Sequence, residues 1–402
     1  MSDPTTLQMY LSTIKALCLE ELGRLPDVND PNDLGAAIML QMALGGRTGP
    51  ELREWLRAQP EAVAFRTRTA KPPPVALPAL VPDGHVFRLA TGGRFSVREC
   101  SDFALLARYI KEGEAVARNV MEDRQFYGFD MLRVWTRFGG DEVPTANRAT
   151  FEAEIGRLQP SEHPVYDAIP DFLQAAADHG LYVELTAYCG GSRDDHWERL
   201  GEAVTKFQAG VSGQTLAELI NEYDAYSHQI RVQDFSPIRG VLCCHGSAGS
   251  ERLPPRPAWD YEVLHVNEAG PEWPRKGGHN ALELSVGDPE GKIEPSHVPA
   301  YMNESPRPDR DGSLAHHEDA AACAALLCAG SVFHSRSGKR SIVFDDFDRP
   351  YAQAFIRGAL SVDLSYQHEP YRHGDEEKAR EKQYEYLRCY RRGDSPFVDV
   401  RR

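Results

Sequence analysis

The sequence predicts an α/β chain: a (β/α)8 TIM barrel preceded by a small helical N-terminal module. Three observations lead there. From residue 85 onward, short apolar runs of strand character alternate with segments whose apolar residues recur at helical spacing. Eight strand candidates fall between residues 94 and 336, the number that closes a parallel barrel, over about the 250 residues such a barrel takes. No Gly-rich phosphate loop follows the first strand, which disfavours an open doubly wound sheet.

Residues 1–65 read as a helical docking module. Apolar residues recur at helical spacing in LQMYLSTIKALCLEEL and DLGAAIMLQMAL, and a third helix, GPELREWLRAQPEA, carries Pro50 at its first turn. Residues 66–84, RTRTAKPPPVALPALVPDG, hold three consecutive prolines and two more nearby, and read as a stiff extended linker. Residues 85–402 are the barrel domain and its C-terminal tail. HVFRLATGGRFSVREC is a hairpin turning at Gly92-Gly93, its second strand running on into the barrel. One long helix follows, DFALLARYIKEGEAVARNVMEDRQFYG. Then come strand FDMLRVWTRF, helix IPDFLQAAADHG ended by Gly180, strand LYVELTAYC, helix DDHWERLGEAVTKFQAG and strand TLAELINEY. Strands IRGVLCCHG, YEVLHVNEA and VPAYMNES precede helix SLAHHEDAAACAALLCAG, strand SVFHSRSG and a closing helix, FDDFDRPYAQAFIRGAL.

A net charge of −15 argues against nucleic acid as a partner, because phosphate binding needs a basic patch. The basic residues of YLRCYRRGDSPFVDVRR alternate with acids and aromatics, and read as a solvated tail or an assembly contact. No apolar stretch is long enough to span a bilayer, and no basic region precedes an apolar core at the N-terminus. The expectation is no membrane segment, no signal peptide and cytoplasmic synthesis. Eight cysteines, Cys18, Cys100, Cys189, Cys243, Cys244, Cys323, Cys328 and Cys389, form no CxxC pair and read as small buried hydrophobes. Cys243 and Cys244, adjacent in a strand, should face opposite ways.

The active site of such a barrel sits at the C-terminal ends of its strands. Those ends read Asp102, Arg133 and Trp135, Tyr188, Asn221 and Glu222, His245, His265 with Asn267 and Glu268, Glu304, and His334. Each alone has an ordinary explanation, such as a hydrogen-bonded His or an Arg paired with an acid. Together they make a polar, aromatic ring on strands that are otherwise Val, Leu and Ala. Two acidic phrases dominate: Asn221-Glu222 and Asn303-Glu304 each close an apolar run. A carboxylate there is costly unless it works or is paired. Two of them suggest general acid/base and nucleophile chemistry on a glycosidic bond. Trp135, Tyr188, Trp197 and Trp273 are the candidates for stacking on sugar faces. Trp197 reads first as core packing of its helix, and Trp273, in the loop AGPEWPRKGGHN, as part of a binding rim.

GFDMLRVW, ELINEY at the fourth strand and a Glu ending the seventh together resemble the clan of retaining glycoside hydrolases with (β/α)8 barrels, to which cellulases and mannanases belong. The resemblance covers roughly residues 94–345. It implies that Glu222 is the acid/base, Asn221 the contact to the sugar 2-hydroxyl, Glu304 the nucleophile and Arg133 the charge that orients it. His245, His265, Glu268 and His334 would complete the carbohydrate site. Where the clan often ends strand eight in Trp, this chain reads Val332-Phe333-His334-Ser335, and strand six ends in His265-Val266-Asn267-Glu268 rather than an aromatic. The helical module, proline linker and barrel also resemble glycosidase-like proteins carried by bacteriophages, which implies docking on a virion or tail. The rival expectation is a non-catalytic carbohydrate-binding or structural virion protein on the same barrel.

No metal or cofactor is expected. His316-His317-Glu318-Asp319 stands at a helix start, where acids offset the dipole, and Asp345, Asp346 and Asp348 lack EF-hand spacing. GSAGS at 246–250 has neither the Lys of a phosphate loop nor the spacing of a nucleophile elbow.

Overall fold

A computed structural model describes residues 77–137, 164–189, 193–208, 215–221, 230–246, 258–265, 296–304 and 313–362, with isolated positions elsewhere. The chain divides into two compact units, Met1–Pro74 and Val75–Arg402. In the first, the described positions 52 and 54–56 are helical and Leu52 and Leu56 are buried; the other helices expected there lie outside the described residues.

The second unit begins with a three-stranded antiparallel sheet, β1 (Leu80–Asp83), β2 (Val86–Leu89) and β3 (Arg94–Phe95). Residues 80–83, read from sequence as linker, are thus a strand. Leu80 is buried, and Pro78 accepts a hydrogen bond from the Tyr182 hydroxyl at 2.6 Å. The prolines remove backbone donors, but a first edge strand tolerates that loss.

The barrel strands follow as β4 (Val97–Ser101), β5 (Met131–Trp135), β6 (Tyr182–Tyr188), β7 (Thr215–Ile220), β8 (Leu242–Cys244), β9 (Glu262–His265), β10 (Ala300–Glu304) and β11 (Gly330–Phe333). All neighbours pair in parallel, in the order β8-β7-β6-β5-β4-β11-β10-β9. At the remaining seam, Asp260 N donates to Cys243 O and Cys243 N to the Asp260 carboxylate, both at 2.9 Å. The expected eight-stranded barrel is therefore present, nearly closed. Where β11 meets β4, Gly330 has φ +121°, and a Cβ there would stand 2.3 Å from Val97 O. Only glycine allows that approach.

Among the described residues of this unit the α-helices are α1 (Leu105–Glu112), α2 (Glu114–Tyr127), α3 (Val165–Asp178), α4 (His196–Gln208), α5 (Leu314–Leu327), α6 (Arg336–Arg340) and α7 (Arg349–Leu360). The one long helix expected after β4 is two, because Gly113, at φ 100° and ψ 162°, leaves the helical region. Ser335, expected to continue the last strand, instead caps α6, its hydroxyl accepting from Gly338 N at 3.0 Å.

Strand alternation sorts the side chains. Leu132, Val134, Val183, Leu185, Ala217, Leu219 and Cys243 face outward, into one cluster with α1–α4. Met131, Tyr182, Leu216, Cys244, Tyr261, Tyr301 and Val332 face the lumen, packed on Leu80, Phe87 and Phe95 of the small sheet, which floors the barrel. Cys243 and Cys244 do face opposite ways, and Trp197 is core, its indole N–H donating to Ser236 O at 2.8 Å.

Candidate active site

One step above the floor the lumen turns ionic. Glu99 of β4, Arg133 of β5, Glu184 of β6 and Glu218 of β7 are all buried. Each stands two residues beyond an apolar floor residue on its own strand (Val97, Met131, Tyr182, Leu216) and so points the same way. The Arg133 guanidinium grips Glu218 in a fork: Nε donates to Oε2 at 3.0 Å, and Nη2 to Oε1 at 2.8 Å and Oε2 at 2.6 Å. Nη2 also donates to Asn221 Oδ1 at 2.9 Å, and Nε stands 3.4 Å from Glu184 Oε2. Glu218 receives two more bonds, from the Thr186 hydroxyl at 2.6 Å and Asn303 Nδ2 at 3.3 Å. Glu184 Oε1 accepts from the Tyr261 hydroxyl at 2.6 Å and the Tyr301 hydroxyl at 2.5 Å.

Two carboxyl groups thus share one guanidinium, and a third, Glu99, is buried in the same layer, an excess of acid that raises carboxyl pKa values. Burial, then the neighbouring Glu184 charge, pushes the Glu99 carboxyl well above its usual range. Burial and the Glu218 charge push Glu184 up to about 7, against the pull of Arg133. For Arg133, burial alone would lower its pKa, but Glu218 and Glu184 more than offset that and it rises, so its charge is permanent.

Of the residues expected at the site, Arg133 and Asn221 are brought into direct contact. Asn221 follows β7 and is half-buried; its N–H donates to Tyr188 O at 2.9 Å. The turn at Gly246, after β8, presses against the same place: a Cβ there would lie 1.7 Å from Ile220 O. Trp135 is buried, stacked on Phe103 with ring centroids 4.1 Å apart, and His334 meets Phe103 edge-on at 5.2 Å. His334 Nδ1 is 3.0 Å from Ser101 Oγ. Tyr188 is fully buried, its hydroxyl donating to Asp194 Oδ1 at 3.1 Å. His245 packs against Trp259 at 4.1 Å. Asp102 is paired with Arg124 at 2.8 Å, both fully buried, and holds the fold rather than the mouth.

Glu304 closes β10 by its backbone and His265 closes β9; the side chains of both, and Glu222, Glu268 and Trp273 entirely, lie outside the described residues. The residues that sequence reasoning passed over are Glu99, Glu184, Glu218, Tyr261 and Tyr301. The three glutamates had a signal, a Glu two places after an apolar residue inside a strand, in VRECS, YVELTAY and TLAELI alike; the two tyrosines had none.

No protein-family model matches the sequence, and neither does any curated protein. Among solved structures, the chain is similar to a glycoside hydrolase at 11% identity and TM-score 0.44, over 69% of this chain and 73% of that one. It is similar to a family 5 glycoside hydrolase from Bacteroides vulgatus at 12% identity and TM-score 0.42, over 67% of this chain and 65% of that one. Against the endo-1,4-beta-mannanase of Rhizomucor miehei the identity is 12% and the TM-score 0.43, over 72% of this chain and 100% of that one.

Proposed function

We propose that the protein is a glycoside hydrolase that cleaves an oligosaccharide or polysaccharide by retaining double displacement. The observation that supports this is the convergence of the two Asn-Glu phrases. Asn221 follows the fourth barrel strand and Asn303 precedes the last residue of the seventh, and one Glu218–Arg133 pair bonds to both. In the proposed mechanism the Glu304 carboxylate attacks the anomeric carbon while Glu222 gives its proton to the departing glycosidic oxygen. Water, deprotonated by Glu222, then displaces Glu304 and restores both groups. This requires carboxyl groups about 5–5.5 Å apart. In this reading the permanent charge of Arg133 favours the ionised form of Glu304 that a nucleophile needs.

A second reading, a carbohydrate-binding or structural virion protein on the same barrel, draws on the packing of Trp135, Tyr188 and His334. All three are buried among protein groups rather than open as sugar platforms. Under either reading the N-terminal segment is the candidate for docking on an assembly. Aryl glycosides and bacterial surface polysaccharides, screened with the wild type, Glu222→Gln and Glu304→Gln, decide between them. Turnover lost in Glu304→Gln supports the enzyme. Binding without turnover, unchanged by either substitution, supports the binding protein.

A further inference from the structure

We propose that Glu218 is the positioning residue of this site: one carboxylate orients the amide of Asn221, through Arg133, and anchors the strand that ends in Glu304, through Asn303. The substrate part of this inference rests on the glycosidase reading; the orientation itself does not.

Hydrogen-bond polarity carries it. A guanidinium has only donors, so the Asn221 amide must turn its oxygen to Arg133 Nη2, 2.9 Å away. Its Nδ2 hydrogens are then turned away from Arg133, and no protein partner for them is found among the described residues, while Asn221 itself is half-buried. The Glu218 carboxyl is the acceptor for Arg133 and Thr186, and Asn303 turns its Nδ2 to the same group, donating to Oε1 at 3.3 Å. Glu218 sits on β7 three residues before Asn221, and Asn303 immediately precedes Glu304. The fork on Arg133 holds the guanidinium in the single plane that lets Nη2 reach both Glu218 and Asn221. Thr186 closes the remaining approach to Glu218 Oε2 at 2.6 Å. The site therefore offers its ligand an amide donor at Asn221, which suits a hydroxyl oxygen beside the reacting carbon.

The test compares wild type, Glu218→Gln, Asn221→Ala and their combination on two activated aryl glycosides, one with a 2-hydroxyl and its 2-deoxy analogue. Glu218→Gln is expected to lower kcat/KM about 10- to 100-fold on the hydroxyl substrate, the worth of one well-placed hydrogen bond. On the 2-deoxy substrate the loss is expected to stay under about threefold, and in the Asn221→Ala background Glu218→Gln should add little. Equal loss on both substrates, or full additivity, overturns the proposal. Because Glu218→Gln leaves Arg133 without its fork partner, Arg133→Met/Glu218→Gln, which removes both charges, runs alongside and is expected to show the same substrate split. Side-chain amide 15N–1H spectra read the orientation without turnover. The Asn221 pair, assigned by its disappearance in Asn221→Asp, is expected to shift in Glu218→Gln, and an unshifted pair overturns the proposal. If the wild type cleaves neither glycoside, the glycosidase reading fails, and the amide spectrum still decides the positioning.

Discussion

The floor of the barrel and the layer directly above it are built from the same strands, two residues apart, and obey opposite rules. Below, Val97, Met131, Tyr182 and Leu216 pack on Phe87 and Phe95 in one apolar cluster. Above, Glu99, Arg133, Glu184 and Glu218 bury three acids against one base. Neither Glu99 oxygen has a hydrogen-bond partner among the described residues. Desolvating an ion costs several kcal/mol, and replacing a buried ion pair by apolar residues is often neutral or stabilising. Stability alone would thus have continued the floor upward. The contrast teaches that this lumen is divided: its lower half holds the fold, and its upper half holds groups at the C-terminal rim, where barrels of this kind keep their chemistry.

That division breaks or stands on measurable outcomes. The largest effect expected is catalytic: under the proposed mechanism Glu304→Gln should leave no measurable turnover with an unchanged unfolding transition, since it would remove the nucleophile and keep its shape. Glu222→Gln should cost about 10²–10⁴-fold on glycosides with poor leaving groups, and far less on activated aryl glycosides, which need no protonation. Equal loss on both would remove the acid/base role from Glu222.

Next come stability changes of similar size and different character. Phe87→Ala, in the floor, should cost about 3–5 kcal/mol in denaturant unfolding, independent of pH. Arg133→Ala, one layer up, should cost about 3–5 kcal/mol at neutral pH, by removing the one base from a buried acidic layer, and less in acid, where the raised pKa of Glu184 keeps that carboxyl neutral. If both penalties were flat with pH, the two layers would not differ in kind.

The pH profile itself should have two opposed limbs. Glu184 has a folded pKa raised to about 7, above the ordinary carboxyl value, so its protonated form favours folding. That contribution is complete below about pH 4.5 and is lost as pH rises through about 7. His196 is the converse: burial, with the Arg137 charge beside it, lowers its pKa to about 4, and its ring bonds the Thr136 and Tyr166 hydroxyls at 2.9 and 2.5 Å. Its contribution, on the order of 3 kcal/mol, is complete above about pH 6.5 and is lost as pH falls through about 4. Unfolding measured from pH 4 to 8 should lose its acid limb in His196→Gln and flatten between 4.5 and 7 in Glu184→Gln.

The smallest effect expected is at the N-terminus. A shortened chain starting at Val75 should unfold within about 0.5 kcal/mol of the full chain, because the division between units falls at Pro74. One starting near residue 84 should be far weaker, having lost β1 and Leu80 from the floor.

Much of the architecture was legible because it rests on local pattern. Strand and helix periods alternate along the chain, and the count of eight selects the barrel. The placement of Asn221 after the fourth strand and Glu304 at the end of the seventh follows from that count. The misreadings were also local. A single glycine, Gly113, split one helix into two, and a serine cap, Ser335, turned an expected strand end into α6. The linker ended early because β1 gains its pairing from β2 and its burial from the barrel floor, neither of which a proline count reports.

By itself, then, the sequence determined which segments become the barrel strands, their number and which polar residues follow them in the chain, since these depend on spacing along one segment. Only the closed barrel decided what Arg133 holds. Its partner Glu218 is 85 residues away and looks, within TLAELI, like a lone acid on a strand. Closure turns that position inward, excludes water and leaves the carboxylate a guanidinium, a threonine hydroxyl and an asparagine amide from three other strands. Period-two alternation says that a residue shares a face with its neighbours two places away; which face is the lumen, and which charges meet there, is settled by the curvature of the whole sheet.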